Sequence, residues 1–417
     1  MEEMRIVGGK RLSGTLKIGG AKNSVLPILS ATVLLNGKSI LHNCPDLSDV
    51  TAALGILKSF GNKYDRLGSD IIINSFVPVS CAVPDELMRQ MRSSVMFLGS
   101  VLGRCKRAVI STPGGCELGP RPIDIHISAI SKLGVTVKEN KGFIEFSAES
   151  GLKGADILLN FPSVGATENI IMAAVLAKGK TNILNAAREP EIKDLADFLN
   201  KAGAKITGAG TNTVIIEGVD ELSGVEHTVI PDRIEAATYM TAVAVTGGVI
   251  SLNGVIPEHI SAVSSALSRA GCIINTGRDT LNLVAPERLN SVKNIRTQVY
   301  PAFPTDAGPM FITAMSVAEG VSVFSENIFK NRFSFIDEMR RFGADIITRG
   351  NIAIINGKNC LTATDCKCTD LRGGAALIIA ALKAEGESKI GKLCHIKRGY
   401  QNITDNLKSI GADISLL

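Results

Sequence analysis

The chain of 417 residues has no tryptophan, four tyrosines and 4% aromatic residues in all. That leaves no basic face interleaved with aromatics of the kind that stacks nucleic-acid bases, so no nucleic-acid partner is expected. The formal charge of +5 is slight for this length. It suits a modestly cationic protein whose ligand is a small anion. Long apolar runs are missing as well. Hydrophobic residues reach 45% and mean hydropathy is +0.22, yet the runs are short, as in AALIIAAL at 375–382. None approaches the roughly 18–20 residues of a membrane span, so no membrane partner is expected either. The opening MEEMRIVGGKRL lacks the apolar stretch of a secretion signal. Nine cysteines, an odd number without regular spacing, argue against a disulfide framework and for a reducing, cytoplasmic home.

What the chain does have is a repeat. An amphipathic helix end, a glycine, a short strand, a turn and a second strand recur six times. The phrase reads LKSFGNKYDRLGSDIIINS from 57, LNKAGAKITGAGTNTVIIEG from 199 and MRRFGADIITRGNIAIING from 339. The helix-ending glycines are Gly61, Gly134, Gly203, Gly271, Gly343 and Gly411, at intervals of 73, 69, 68, 72 and 68 residues. Glycine suits that place because it enters the left-handed conformation without a Cβ clash. A second phrase alternates with the first: a helix apolar nearly all round, as in SVGATENIIMAAVLAKG at 163–179. The unit therefore reads buried helix, strand, exposed helix, strand, strand. Apolar helices inside and amphipathic ones outside predict an α/β (α+β) architecture, with sheets facing outward around central helices.

Six units divide as three and three. The last ends at Leu417 without its second hairpin strand, and the strand-like MRIVGG near the N-terminus can supply it. The expected domains are residues 21–229 and a discontinuous second one of 1–20 with 230–417. Two crossings would form a hinge, and ligands favour such clefts.

The starts of the apolar helices carry charge: Lys22-Asn23, Arg92, Ser163-Val164-Gly165, Asp232-Arg233, Thr305-Asp306 and Asp370-Leu371-Arg372. Helix N-termini attract anions through free N–H groups and the dipole. Asp and Ser there are also ordinary N-caps, and capping accounts well for Asp232 and Asp370. It accounts poorly for Lys22, Arg92 and Arg372, because cations oppose the dipole. STPGGCELGPRP at 111–122 poses a different question. It favours neither helix nor strand, and it holds Cys116 five residues before Arg121.

Together these stretches resemble the enolpyruvyl transferases, and the resemblance runs essentially end to end. It is carried by GGAKNSVLPIL (19–29), PGGCELGPRPIDIH (113–126), PSVGAT (162–167), NAAREPEI (185–192) and PDRIEA (231–236). FPTD (303–306), ENIFKNRF (326–333), TDLR (369–372) and HIKRGY (395–400) complete it. The resemblance implies two similar domains of three repeats each, an inside-out α/β barrel. It further implies transfer of the enolpyruvyl group of phosphoenolpyruvate to the 3′-hydroxyl of UDP-N-acetylglucosamine, releasing phosphate, as the first committed step of bacterial peptidoglycan synthesis. Cell-wall growth, cell shape and cell division depend on such a step. No cofactor or metal is implied, and the oligomeric state stays open, with a monomer sufficient.

By the same resemblance, Lys22, Arg121 and Arg398 gather the phosphate and carboxylate of phosphoenolpyruvate, with Asn23 close by. Lysine and bidentate arginine are the right chemistry for those groups. Arg92, Arg121, Pro122, Ile123, Asp124, Ile125, Ser163, Val164, Asp306 and Ile328 hold the UDP-sugar. Arg332, Asp370 and Arg372 match residues near the reacting centre, and Asp306 matches the base for the sugar hydroxyl. Cys116 matches a loop thiol that donates a proton to C3, carries a phosphoenolpyruvate adduct, or serves product release. The epoxide antibiotic fosfomycin alkylates that thiol. A shikimate 3-phosphate acceptor is the alternative within the family, and a non-catalytic UDP-sugar-binding paralogue the alternative outside enzymes.

Two places depart from the family pattern. Ala307-Gly308-Pro309-Met310 follows FPTD where a glutamine-containing stretch is common, with Pro309 in the first helical turn. Phe161-Pro162 stands where some members have lysine. Cys360, Cys366 and Cys368 lack the second pair or nearby histidine of a zinc site. His126 and His395 flank motif residues and could be ligand contacts or satisfied structural groups. Glu189 and Glu191 could meet a loop or the sugar, or simply favour a helix start.

Overall fold

The computed structural model describes residues 2–75, 95–111, 123–140 and 142–417. The chain falls into two compact units, with crossings between Gly19 and Gly20 and between Ile230 and Pro231. Each has its own apolar core, one assembled from residues between Val25 and Val229, the other from Met4 to Ile18 and Ile234 to Ile414.

The six glycines set the local geometry. All have φ between 82° and 108°, the left-handed region, and each follows the last turn of an amphipathic helix. Behind Ser48–Ser59, Gly61 N–H donates to Lys58 at 2.9 Å and Asn62 N–H to Leu57 at 3.1 Å. This paired closure ties off the helix carbonyls and aims the chain into a hairpin. The same two bonds close the helices before Gly203, Gly271, Gly343 and Gly411. The hairpin strands that follow alternate buried and less buried residues, as in Asp70–Ser75 and Thr213–Glu217.

In the first unit the apolar helices are Lys22–Ala31, Phe97–Cys105 and Val164–Ala174. In the second they are Arg233–Thr246, Gly308–Met315 and Leu371–Lys383. Every residue from Arg372 to Leu382 is buried. Each fully buried Leu or Ile of such a helix contributes about 1.5–3 kcal/mol. Phe97–Cys105 meets Val164–Ala174 backbone to backbone. A Cβ on Gly99 would lie 2.2 Å from the Asn169 carbonyl oxygen, and one on Gly103 would lie 2.9 Å from that of Met172. Glycine is required at both by space.

Around these helices stand separate sheets, five of four strands and one of three among the described residues. Each hairpin pairs antiparallel with the strand that follows its unit's apolar helix, as Thr213–Glu217 does with Lys180–Leu184. Met4–Val7 pairs antiparallel with Asp413–Leu416, Met4 opposite Leu416, and so stands where the last unit lacks a strand. The sheets also contain short strands that the repeated phrase does not include. Asp156–Leu158, Glu226–Thr228, Asn294–Arg296 and Cys366–Lys367 each add in parallel to the sheet of a neighbouring repeat. Among the described residues these short strands join one repeat to the next within a unit.

Candidate active site

In the second unit the chemistry gathers on Asp306. Its carboxylate sits in the single turn Thr305–Ala307 that leads into Gly308–Met315, with Pro309 in the first helical turn. Arg332 Nη2 donates to Oδ1 at 2.6 Å and Arg372 Nη2 to Oδ2 at 3.2 Å. Both arginine side chains are nearly inaccessible, at 2% and 4%, whereas Asp306 keeps 26% of its side chain exposed. The carboxylate is therefore the accessible face of a buried three-member charge group.

Each guanidinium is held from behind. Arg332 Nε donates to Thr305 Oγ1 at 3.1 Å, and Thr305 donates onward to Glu326 Oε2 at 2.9 Å. Glu326 Oε1 accepts the backbone N–H groups of Ile328 at 2.8 Å and Phe329 at 3.0 Å. The Phe329 ring lies 4.8 Å from the Arg332 guanidinium, a cation–π contact. Arg372 Nη1 donates to the Tyr400 hydroxyl at 3.2 Å, and that hydroxyl meets Thr238 Oγ1 at 2.8 Å. Burial works against the charge on Arg372, but Tyr400, Asp306 and Asp232 outweigh it and raise its pKa. The backbone thus fixes Glu326, Glu326 fixes Thr305, and the pair of arginines fixes Asp306.

Asp370 is placed differently from its neighbours in the motif. Its Oδ1 caps the helix Leu371–Lys383, accepting from Arg372 N–H at 2.9 Å and Gly373 N–H at 3.1 Å. Its Oδ2 accepts from the hydroxyls of Thr369 at 3.3 Å and Ser334 at 3.4 Å. Asp232 likewise caps Arg233–Thr246. Capping therefore accounts for both, as their residue type suggested. Arg398 is half-buried at the end of the turn Ile396–Arg398, two residues before Tyr400, and Ile328 is half-buried.

In the first unit, Lys22 opens Lys22–Ala31 and is buried, its Nζ 2.6 Å from Asp49 Oδ2, itself buried in the first turn of Ser48–Ser59. Asp49 explains how a cation tolerates a helix N-terminus, and nothing in the sequence around position 49 announces it. Asn23 is half-buried beside it. Ser24 donates to Asp194, which also accepts from His227 at 2.9 Å.

A second group forms where Asp124–Ser131 meets Val164–Ala174. Ile123 and Ile125 are half-buried and Asp124 is exposed. Ser163 caps its helix by accepting from Ala166 N–H at 3.3 Å, and Val164 starts it. His126 joins the two helix starts through Asn169, at 3.0 Å from its Nδ1. Burial lowers the pKa of His126 to about 4. Glu168 is buried on the same helix, and burial, then Glu191 and Glu189, push its carboxyl well above the usual range. Phe161 is exposed. Arg92, Cys116, Arg121 and Pro122 lie outside the described residues.

No group of three or more His, Cys, Asp or Glu among the described residues is arranged to hold a metal. Cys366 and Cys368 are buried thiols whose pKa burial pushes up to about 12, and Cys360 is exposed. No helix among the described residues is long and apolar enough to cross a membrane.

The model of the family described as EPSP synthase (3-phosphoshikimate 1-carboxyvinyltransferase) matches residues 6–407. The chain belongs to the enolpyruvyl transferase family. It is 47% identical over 414 residues to UDP-N-acetylglucosamine 1-carboxyvinyltransferase 2 of Caldanaerobacter subterraneus subsp. tengcongensis, covering 99% of each. It is 44% identical over 419 residues to UDP-N-acetylglucosamine 1-carboxyvinyltransferase of Endomicrobium trichonymphae, covering 100% of each. Among solved structures, the enolpyruvyl transferase NikO from Streptomyces tendae has the same fold, with TM-score 0.90 at 22% identity over 100% of this chain and 98% of that one. EPSP synthase from Acinetobacter baumannii gives TM-score 0.76 at 18% identity over 100% of both.

Proposed function

We propose that the chain transfers the enolpyruvyl group of phosphoenolpyruvate to the 3′-hydroxyl of UDP-N-acetylglucosamine, the entry step of peptidoglycan precursor synthesis in the cytoplasm. The observation that carries this reading is Asp306, held from both sides by buried arginines with its carboxylate accessible. It is supported by 44–47% identity, over essentially the whole chain, to transferases named for that acceptor.

The reaction balances as addition and elimination. Asp306 takes the proton of the sugar hydroxyl as its oxygen bonds to C2 of the enol, and C3 gains a proton from Cys116. The tetrahedral ketal then loses phosphate from C2 and a proton from C3, restoring the double bond. Lys22, Arg121 and Arg398, with Asn23, hold the donor's phosphate and carboxylate. Arg92, Arg121–Ile125, Ser163, Val164 and Ile328 hold the nucleotide sugar. Arg332 and Arg372 hold the base in place, with Asp370 ordering the helix start that bears Arg372. Fosfomycin alkylates Cys116, so Cys116→Asp abolishes that inactivation.

The test is phosphate release on mixing phosphoenolpyruvate with each acceptor. Release with UDP-N-acetylglucosamine and none with shikimate 3-phosphate is expected. The reverse pattern would move the chain to the shikimate branch, and silence with both would make it a binding paralogue.

A further inference from the structure

His126 and Gly165 belong to motifs, yet the substrate roles above leave both unused. Their surroundings give them a joint task. Asn169 is completely buried on the second turn of Val164–Ala174. Its Oδ1 accepts the Gly99 N–H at 2.6 Å. A backbone N–H only donates, so this bond fixes which end of the amide is oxygen. Nδ2 must then face His126 Nδ1 at 3.0 Å, with the carbonyls of Val95 and Gly165 each at 3.2 Å. The imidazole therefore accepts at Nδ1 and carries its proton on Nε2. That edge of the ring lies on Gly165, where a Cβ would stand 3.2 Å from Cε1 and 3.5 Å from Nε2. A methyl group at 165 would press on the ring and move it by a few tenths of an ångström.

One buried amide thus touches the starts of three helices: Phe97–Cys105 through Gly99, Asp124–Ser131 through His126, and Val164–Ala174 through Gly165. The last two carry Ile123–Ile125 and Ser163–Val164. We infer that Asn169, acting through His126, is the positioning residue for the nucleotide-sugar side of the reaction. It sets the spacing of the two backbone segments that grip the UDP-sugar. The inference rests on the function proposed above. Its consequence is a split between the substrates, because Lys22, Asn23 and Arg398, which hold phosphoenolpyruvate, lie outside both segments.

Asn169→Asp keeps the acceptor for Gly99 but turns a second oxygen toward Nδ1 and two carbonyls. The ring must then take up a proton or change tautomer. Gly165→Ala removes no hydrogen bond and only displaces the ring. Steady-state kinetics with both substrates, and histidine titration by NMR, are run beside the wild type. For Asn169→Asp, KM for UDP-N-acetylglucosamine rises at least tenfold, KM for phosphoenolpyruvate moves less than threefold, and His126 titrates higher than in the wild type. For Gly165→Ala the same KM rises about threefold to tenfold with kcat unchanged. Should Asn169→Asp fail to fold, Gly165→Ala alone decides. Equal changes in both KM values, or none, would reduce Asn169 to core scaffolding and overturn the inference while wild-type turnover still supports the function. A wild type that turns over neither acceptor fails the function itself, and the inference falls with it.

Discussion

Glu235 offers a perturbation whose size and sign follow from the structure. It lies in the first turn of Arg233–Thr246 and is half-buried, with its carboxyl turned against Gly19 and Tyr239. Oε2 accepts the Gly19 N–H at 3.0 Å and Oε1 the Tyr239 hydroxyl at 3.4 Å. Burial, with Asp232 adding to it, raises its pKa from 4.5 to about 7, against the opposing pull of Gly19, Tyr239 and Arg372. The folded chain therefore binds this proton more tightly than the unfolded chain does. Its contribution to stability is complete below about pH 4.5 and is lost as pH rises through about 7. At about 1.4 kcal/mol per unit, the whole effect is about 3 kcal/mol. Glu235→Gln keeps an acceptor for Gly19 and removes the titration. Urea unfolding followed by far-UV circular dichroism, at several values between pH 4.5 and 8, should show the variant gaining on the wild type by about 3 kcal/mol across that range. Parallel stability curves for the two proteins would show that Glu235 does not carry the raised pKa, because a carboxyl that binds its proton more tightly in the folded chain must leave that signature.

The remaining predictions concern separate links. His126 has the opposite sign: its lowered pKa gives stability that is present above about 6.5 and lost as pH falls through about 4. His126→Asn should flatten that acid limb in the same unfolding series. Gly99→Ala pushes a methyl to 2.2 Å from the Asn169 carbonyl oxygen, and should destabilise at or beyond the upper end of about 1–3 kcal/mol, read as a lowered melting temperature. Asp306→Ala leaves two buried guanidiniums without their counter-charge and should cost about 3–5 kcal/mol in the same assay. Asp306→Asn should fold better than Asp306→Ala and still lose about 10²–10⁴-fold in kcat. Arg398→Ala should raise KM for phosphoenolpyruvate far more than KM for UDP-N-acetylglucosamine; an equal rise in both would contradict its role.

The repeat was legible because its marker is local. A helix that must turn sharply into a hairpin needs a residue with positive φ, and six evenly spaced glycines report that need directly. The apolar helices were legible for the same reason, since burial on all sides leaves nothing polar to interrupt the run. The strands passed between repeats were not. Asp156–Leu158, Glu226–Thr228 and Asn294–Arg296 are three residues long with one buried residue each, Ile157, His227 and Ile295. Alternation cannot be read from one position. In the site, the motif residues Asp306, Arg332 and Arg372 come together, but the groups that hold them do not advertise themselves. Asp49 meets Lys22 only through the packing of two helices, and Glu326 acts through a hydroxyl. Asn169 reads as one more polar residue in an apolar helix until three chain segments are seen to converge on it.

The proposed reaction moves an enolpyruvyl group from phosphoenolpyruvate to a UDP-sugar. NMR of the nucleotide sugar recovered after turnover tests it directly. A pair of vinyl protons on an ether at the 3′ oxygen is expected, formed in step with phosphate and lost in Asp306→Asn. An unmodified sugar beside released phosphate, or an adduct at another oxygen, would contradict it.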